Sequence, residues 1–332
     1  MKRVFAGAVF AMAFFMMSFL NLAGAETIRV LILDDQTRQA PEGTDMVKLL
    51  DRTDGKLLLE DRPYTGTIEV WRGEEGLYLI NEIPLEEYIK SVVKSETGRD
   101  WDIEALKAQA VVARTYAVFQ KSKNGHFKYD ITSTTLHQVY NGDVQDERIS
   151  GAVKATEDEI LTYGGSPIEA FYHSTCGGHT EDSGEVFGRS LPYIKAQEVK
   201  CNLSPLAVWA RKIPLQELGE ALELQGITNV AIKSYTASGR VRELEITASN
   251  GLNLVKATEM RKILGWKRLP STAFTIQLED DALVIDGTGY GHGVGLCQWS
   301  ALEMAREGKN YAEILFFFYP GTQLAKYGHQ GL

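Results

Sequence analysis

Between residues 27 and 80 apolar and polar positions alternate in short runs, at 27–33, 47–50, 56–59, 66–71 and 76–80. That period belongs to half-buried strands, and Asp54-Gly55 reads as a turn between two of them. The rhythm changes at Pro84. Leu85, Tyr88, Ile89, Val92 and Val93 fall three and four apart, the spacing of one helical face. Pro84 suits the first helical position, Glu86 and Glu87 lie in the positive first turn, and Gly98 reads as the C-cap. A second helix starts from Asp102 as N-cap and runs to Phe119. It is apolar on nearly every side, which predicts burial, and Asn124-Gly125 closes the pair. Residues 129–200 read as loop and strand. Beyond them the pattern predicts helices at 215–224, 260–264, 300–307 and 311–317, and strands at 230–232, 243–247, 274–278 and 282–285.

This order predicts an α+β protein, with a small β-rich part at 26–80 and one mixed body at 81–325 that carries the helical pair. No internal repeat or flexible linker interrupts it. The N-terminus has Lys2 and Arg3, an uncharged apolar run to Leu20, and Ala23-Gly24-Ala25. Those are the three parts of a signal peptide spanning 1–25, cleaved before Glu26. An uncleaved membrane anchor is the alternative, because the run is nearly long enough to span a bilayer. Either way the folded part is exported across the cytoplasmic membrane, to the periplasm, the medium or the membrane face toward the cell wall. The chain carries 44 acidic against 35 basic residues, a formal net charge of −9, and losing Lys2 and Arg3 makes the remainder more negative still. Nucleic acid, which needs a basic footprint, is excluded as a partner; a neutral sugar polymer is compatible. Of the three cysteines, at most two can pair internally. Cys176 and Cys201 lie in loop-like sequence and are the favoured disulfide, while Cys297 sits at a Gly-rich junction.

Glu96 continues the apolar face of the first helix, four residues after Val92. A carboxylate at the end of a buried stripe is held toward its protonated form and can act as a general acid and then a base. It can equally cap its own helix or pair with Lys94, Arg99 or Arg114. Gln109 and Arg114 are polar positions on the second helix and need partners if buried; Arg114 suits a structural strut to a carboxylate. The segment from His137 through Gln138 and Tyr140 to Gly142 combines aromatic and amide groups that fit sugar rings. His173, Cys176 and His179 are three apart, and zinc ligation or a thiol nucleophile is conceivable there. Five glycines alternate from Gly287 to Gly295. As a strand this strips one face of side chains and suggests a groove for an extended polymer, with His292, Gln298 and Trp299 at its edge. A tight packing seam is the alternative.

Taken together, these segments resemble the SpoIID/LytB family. The resemblance rests on the run from Asn81 to Glu96, that from Glu104 to Ala117, Gln138-Val-Tyr-Asn-Gly142, His173-Ser-Thr-Cys-Gly-Gly178, Gly289 to Gln298, and Tyr319-Pro-Gly-Thr322. It implies a peptidoglycan lytic transglycosylase that cleaves the MurNAc–GlcNAc bond, preferably on strands denuded of stem peptides, and forms 1,6-anhydroMurNAc. The family's catalytic glutamate falls on Glu96; Gln109, Arg114, Gln138, Tyr140, Ser174, His292 and Gln298 are candidate substrate-binding residues. The family also implies an alternative, a non-catalytic glycan-binding modifier of a cell-wall amidase. A zinc amidase using His173, Cys176 and His179 is a third reading. Relatives often carry Met-Pro shortly after the glutamate, where this chain has Thr97-Gly98-Arg99. Zinc is associated with some members, but the sequence around His137 has no cysteines to complete such a site, so no metal or other cofactor is expected.

Overall fold

Strand alternation at the start of the chain and helical periodicity after Pro84 meet in one compact unit, which runs through Glu169 and includes the chain from Leu324. A second unit comprises Ala170–Gln323. The division thus falls at 169/170, and the β-rich start shares a unit with the helical pair. The computed structural model describes residues 26–32, 46–73, 76–98, 100–135 and 137–328; the leader expected at 1–25 lies outside them.

In the first unit β1 (Thr27–Ile32), β2 (Met46–Leu59), β3 (Arg62–Gly73) and β4 (Leu77–Pro84) precede α1 (Leu85–Glu96) and α2 (Ile103–Asn124). Then come β5 (Ile131–Thr132), α3 (Glu147–Ala155), β6 (Glu159–Tyr163) and β7 (Ser166–Pro167). Five strands form one sheet in the order β2-β3-β4-β1-β5, with β1 antiparallel to β4 and parallel to β5. The turn expected at Asp54-Gly55 does not form. β2 is one long strand in which Gly55 pairs with Gly66, and the chain reverses at Glu60 and Asp61, both at positive φ (49° and 62°). Two residues with positive φ match the twist of the strands they join, and continuous pairing along β3 outweighs the local Asp-Gly preference.

The α1 helix buries Leu85, Tyr88, Ile89, Val92 and Val93, as its periodicity predicts. Pro84 stands at the N-cap rather than inside the helix. The end differs as well. Thr97, in extended conformation, is the C-cap, and both its N–H (3.0 Å) and its Oγ1 (2.7 Å) donate to the Val93 carbonyl. Gly98 serves another purpose: a Cβ there would lie 2.6 Å from the Trp101 Nε1, so only glycine lets the indole close over this turn. Asp102 caps α2 by accepting from the Glu104 N–H at 2.9 Å, and the helix is buried on most sides because α1, α3 and β6 all pack on it. The α3 helix is absent from the sequence reading. Its buried Ile149, Ala152 and Val153 have helical spacing, but Gly151 interrupts a nine-residue segment too short to show a clear period.

The second unit contains β8 (Tyr172–His173), α4 (Ser183–Phe187), β9 (Val208–Pro214), α5 (Leu215–Leu222), β10 (Asn229–Tyr235), β11 (Val241–Ala248), β12 (Gly251–Lys256) and α6 (Ala257–Leu264). It continues with β13 (Phe274–Glu279), β14 (Ala282–Thr288), β15 (Leu296–Cys297), α7 (Gln298–Arg306) and α8 (Tyr311–Phe318). Two three-stranded sheets, β10-β11-β12 and β13-β14-β9, share a core of Trp209, Leu218, Leu244, Ile246, Met260 and Ile285. The last strand, β16 (Gln323–Lys326), pairs with β6 and returns the chain to the first unit.

Candidate active site

Glu96 is the last residue of α1 and is partly exposed. Two turns earlier on the same helix Tyr88 is fully buried. Its phenol is pushed well above the ordinary range, first by burial and then by Tyr116, Tyr140 and the Glu96 carboxylate.

That cluster is anchored along α1 by the segment 138–142. The Tyr88 hydroxyl donates to Gln138 Oε1 at 3.0 Å, and Gln138 Nε2 donates to the Ala113 carbonyl of α2 at 3.2 Å. Tyr140 packs against Tyr88 and Tyr64 with ring centroids 5.3 and 5.6 Å away, and its hydroxyl donates to Asn81 Oδ1 at 2.7 Å. One residue on, the Asn141 N–H donates to Ser91 Oγ (3.2 Å) and its side-chain amide to Ser95 Oγ (3.0 Å). Arg62, beside the β2–β3 turn, donates to Asn141 Oδ1 at 2.6 Å. Gly142 has φ +83°, and a Cβ there would lie 2.3 Å from the Pro63 carbonyl oxygen, so the segment can sit against the hairpin only with glycine.

Two other acids belong to this neighbourhood, and both hold structure. Asp143 accepts from the Thr65 N–H and hydroxyl at 3.1 and 3.0 Å, and burial pushes it upward. Asp146 pairs with Lys94 at 2.7 Å and caps α3 by accepting from the Ile149 N–H. The Lys94 bond is the main reason its carboxyl is held below the usual range.

The expected substrate-binding residues fare differently. Gln138 and Tyr140 are 0% and 2% exposed, and they bond to Tyr88, the Ala113 carbonyl and Asn81. Arg114 is fully buried and makes two 2.7 Å bonds to Glu86 and one of 3.0 Å to the Glu159 carbonyl. It is the strut, because a guanidinium out of water needs a fixed carboxylate. Gln109 is buried in α2. Ser91, Ser95, Asn141 and Asn81 were missed. Two serines four apart beside an apolar helical face were the available signal; nothing local marked Asn81 as a partner for a phenol 59 residues away.

In the second unit the alternating glycines form a packing seam and not the groove expected of them. Gly289, Gly291, Gly293 and Gly295 all have positive φ, which no regular strand repeats. An added Cβ would meet the Thr175 carbonyl oxygen at 2.7 Å, His173 Cβ at 2.8 Å, the Arg240 guanidinium carbon at 2.7 Å and the Phe171 carbonyl oxygen at 2.0 Å respectively. His292 lies within this packing, its ring near Phe171, Phe187 and His173, with Nδ1 accepting from the Val294 N–H at 3.0 Å. Burial, with Arg261 nearby, lowers its pKa to about 3. Gln298 is buried at the start of α7. Ser174 shares its hydroxyl with Thr175 at 3.2 Å, and its carbonyl accepts from the Trp299 N–H. None of the three is among the residues that line the cavity of about 410 Å³ in this unit. His173, Cys176 and His179 do not converge either: His173 is buried, with Nδ1 3.2 Å from the Val294 carbonyl oxygen, while His179 is exposed. Among the described residues no three histidine, cysteine or acidic side chains are arranged to hold a metal ion. The disulfide expected between Cys176 and Cys201 is not formed; all three cysteines are buried free thiols.

A family model described as stage II sporulation protein matches residues 73–163, which hold Glu96, both helices and the 138–142 segment. A model of a domain of unknown function matches residues 205–295. Stage II sporulation protein D of Bacillus subtilis is 32% identical over 272 residues, covering 74% of this chain and 76% of that protein. An uncharacterised protein of Brachyspira hyodysenteriae is 34% identical over 271 residues, 80% of this chain and 73% of its own length. The amidase enhancer of Bacillus subtilis is 31% identical over 292 residues, and the match spans 72% of this chain but only 40% of that protein.

Proposed function

The chain belongs to the SpoIID family, and from that premise we propose that it cleaves peptidoglycan glycan strands as a lytic transglycosylase with Glu96 as the single acid/base. The observation that carries this reading is the setting of Glu96: a partly exposed carboxylate on a rigid helix end, backed by the anchored 138–142 segment. In its acid form Glu96 protonates the oxygen linking MurNAc to GlcNAc as the C1–O bond breaks. The resulting carboxylate removes the proton of the same sugar's C6 hydroxyl, whose oxygen closes on C1, so a 1,6-anhydro ring forms and Glu96 regains its proton. No water enters, and no second carboxylate is needed. Hydrolysis by paired carboxylates needs one free to activate water or attack carbon, whereas Asp143 and Asp146 are each committed to structural bonds. The work lies outside the cytoplasmic membrane, on a substrate compatible with a net negative protein.

The second reading, a modifier of a cell-wall amidase, is favoured by one observation: a relative named amidase enhancer aligns with 72% of this chain. Mass spectrometry of denuded glycan strands incubated with the purified chain separates the two. Anhydro-ended fragments from the parent, and none from Glu96→Gln, are expected. Reducing-end products would mean hydrolysis; binding without any products, together with faster turnover by an added amidase, would move the assignment to the modifier.

A further inference from the structure

The cavity of about 410 Å³ in the second unit has a floor and two walls built from different parts of the sequence. Its floor is the outer face of the β13-β14-β9 sheet. Asp286 pairs with Thr275 of β13, and Thr288 pairs with Val208 of β9. Positions two apart along a strand share a face, so these four side chains lie together, and all four line the cavity. One wall is the turn at 176–179. A Cβ on Gly177 (φ +77°) would lie 2.6 Å from Thr288 Oγ1, so glycine lets this wall rest on the floor. The other wall is the turn from β10 to β11. It is closed by bonds from the Thr236 N–H to the Arg240 carbonyl (2.8 Å) and from the Gly239 N–H to the Thr236 carbonyl (3.1 Å). A Cβ on Gly239 would have no heavy atom within 4 Å, so the tip of this turn is open.

A cation ties the two walls together. Arg240, which lines the cavity and is only 2% exposed, donates from Nη2 to the Cys176 carbonyl at 2.6 Å and the His179 carbonyl at 3.4 Å. Its Nε and Nη1 are buried with no hydrogen-bond partner. A guanidinium keeps its charge when buried, and a buried charge without a paired anion is expensive. Burial lowers the Arg240 pKa, and Glu181 is the first of the charges that act the other way. Yet the Glu181 carboxylate is spent on other donors, the Asp182 N–H at 2.8 Å and the Thr236 and Ser238 hydroxyls at 2.6 Å each. Unmet donors of a fixed cation beside a cavity call for an acceptor that is itself charged. The opposite charge stands on the floor, where Asp286 is exposed. A plain anion would face Asp286 and Glu181 as well as Arg240, two carboxylates against one guanidinium. A ligand carrying both a carboxylate and an ammonium answers Arg240 and Asp286 together.

We propose that this cavity binds a small zwitterion, an amino acid or a short peptide, with its carboxylate at Arg240 and its ammonium at Asp286. Exposed Val208 and Tyr235, which also line the cavity, offer apolar surface to the body of the ligand. The volume falls within the range of about 300–1,000 Å³ usual for small-molecule sites. Peptide hydrolysis is the class of reaction that supplies such ligands, because each amide cut leaves one carboxylate and one ammonium. The site stands apart from the reaction proposed for Glu96, and a binding measurement reads it without any turnover.

Isothermal titration calorimetry of the full chain with alanine and with alanyl-alanine tests this. At least one of the two is expected to bind, at one site per chain. Acetylating the ammonium of the compound that binds, or converting its carboxylate to an amide, is expected to weaken it at least about tenfold. Asp286→Asn is expected to lower the affinity for the free zwitterion by a similar factor and to leave that for the acetylated form unchanged. Arg240→Lys, which keeps the charge, is expected to weaken the zwitterion as well. Circular dichroism melting checks each variant, and Asp286→Asn, at an exposed position, keeps the test decisive should the lysine variant not fold. No binding of either compound at millimolar concentration would overturn the proposal, as would parent-like affinity in Asp286→Asn. Equal binding of N-acetylmuramic acid, a carboxylate with no ammonium, would also overturn it and make the site one for acidic sugars.

Discussion

Tyr140 shows how a residue that suits sugar binding becomes structural once its surroundings are known. The aromatic body lies between Tyr64 and Tyr88, and its hydroxyl is spent on Asn81, which is itself fully buried and donates to the Thr65 carbonyl at 2.9 Å. Burial pushes the phenol far above its usual range, so it stays a donor at every working pH. Tyr140→Phe keeps the ring but leaves Asn81 Oδ1 without its donor, and a buried acceptor left unmet costs about 1–3 kcal/mol. Urea denaturation followed by circular dichroism should show that loss with an unchanged slope; full stability would mean that Asn81 finds another donor. The place of Glu96 at the end of α1 was legible because the spacing of the helical face leads to it. The roles of Gln138, Tyr140 and Arg114 were not, since composition shows which residues can hydrogen-bond but not with whom. The setting of His292 was hidden for a related reason: a side chain in a glycine-rich run reads as lying on an open groove until the glycines are seen packing against their own chain.

At the scale of elements, the end of α1 is the most consequential local structure. Helix and 138–142 segment share three bonded positions, Tyr88, Ser91 and Ser95, so Glu96 projects from a backbone braced along two turns. After it, Gly98 admits the Trp101 indole, whose residue carbonyl in turn receives two bonds from Arg148 of α3 at 2.8 and 3.1 Å. Gly98→Ala should push the indole outward and shift the turn that follows Glu96. Small misplacements of a reacting group are expensive in rate. On the proposed function, turnover of denuded strands should fall at least about tenfold, while stability drops by roughly 1–3 kcal/mol. Steady-state rates and melting measured on the same preparation check this, and parent-like turnover would show that the turn does not position the carboxylate. Helices with long regular periods were readable, α2 most of all. The β2–β3 turn was not, because nine consecutive pairs in one register, from Asp51↔Val70 to Leu59↔Arg62, decide where the chain reverses, and a dipeptide preference is worth less than the ladder.

For the whole molecule, one buried and two half-buried histidines set the response to acid. Burial, helped by the Lys123 charge, lowers the His137 pKa from 6.5 to about 4. His292 is lowered to about 3, and His173 well below its ordinary value, again by burial first. A group whose folded pKa lies below its unfolded one binds protons preferentially when unfolded, so stability is intact above pH 6.5 and falls as pH drops toward the folded pKa. Each such histidine contributes a slope of about 1.4 kcal/mol per pH unit. Asp130 and Asp143 oppose the trend, since burial raises both and their folded forms gain protons, but they act nearer the carboxylate range. Stability measured by urea titration should therefore decline between pH 6.5 and 4, and His137→Asn should flatten the curve. A flat profile in the parent would show that these rings take up protons without unfolding. What the sequence determined by itself was an α+β chain with an amphipathic helix ending in Glu96, a buried second helix and membership of its family. Those depend on period and motif, which are local and additive along the chain. Only the tertiary structure decided that the chain divides at 169/170, that alternating glycines are a seam, that Arg114 is a strut and that the Cys176 N–H meets the sulfur of the distant Cys297. Each of those depends on which residues far apart in the chain become neighbours, and no local pattern encodes a partner.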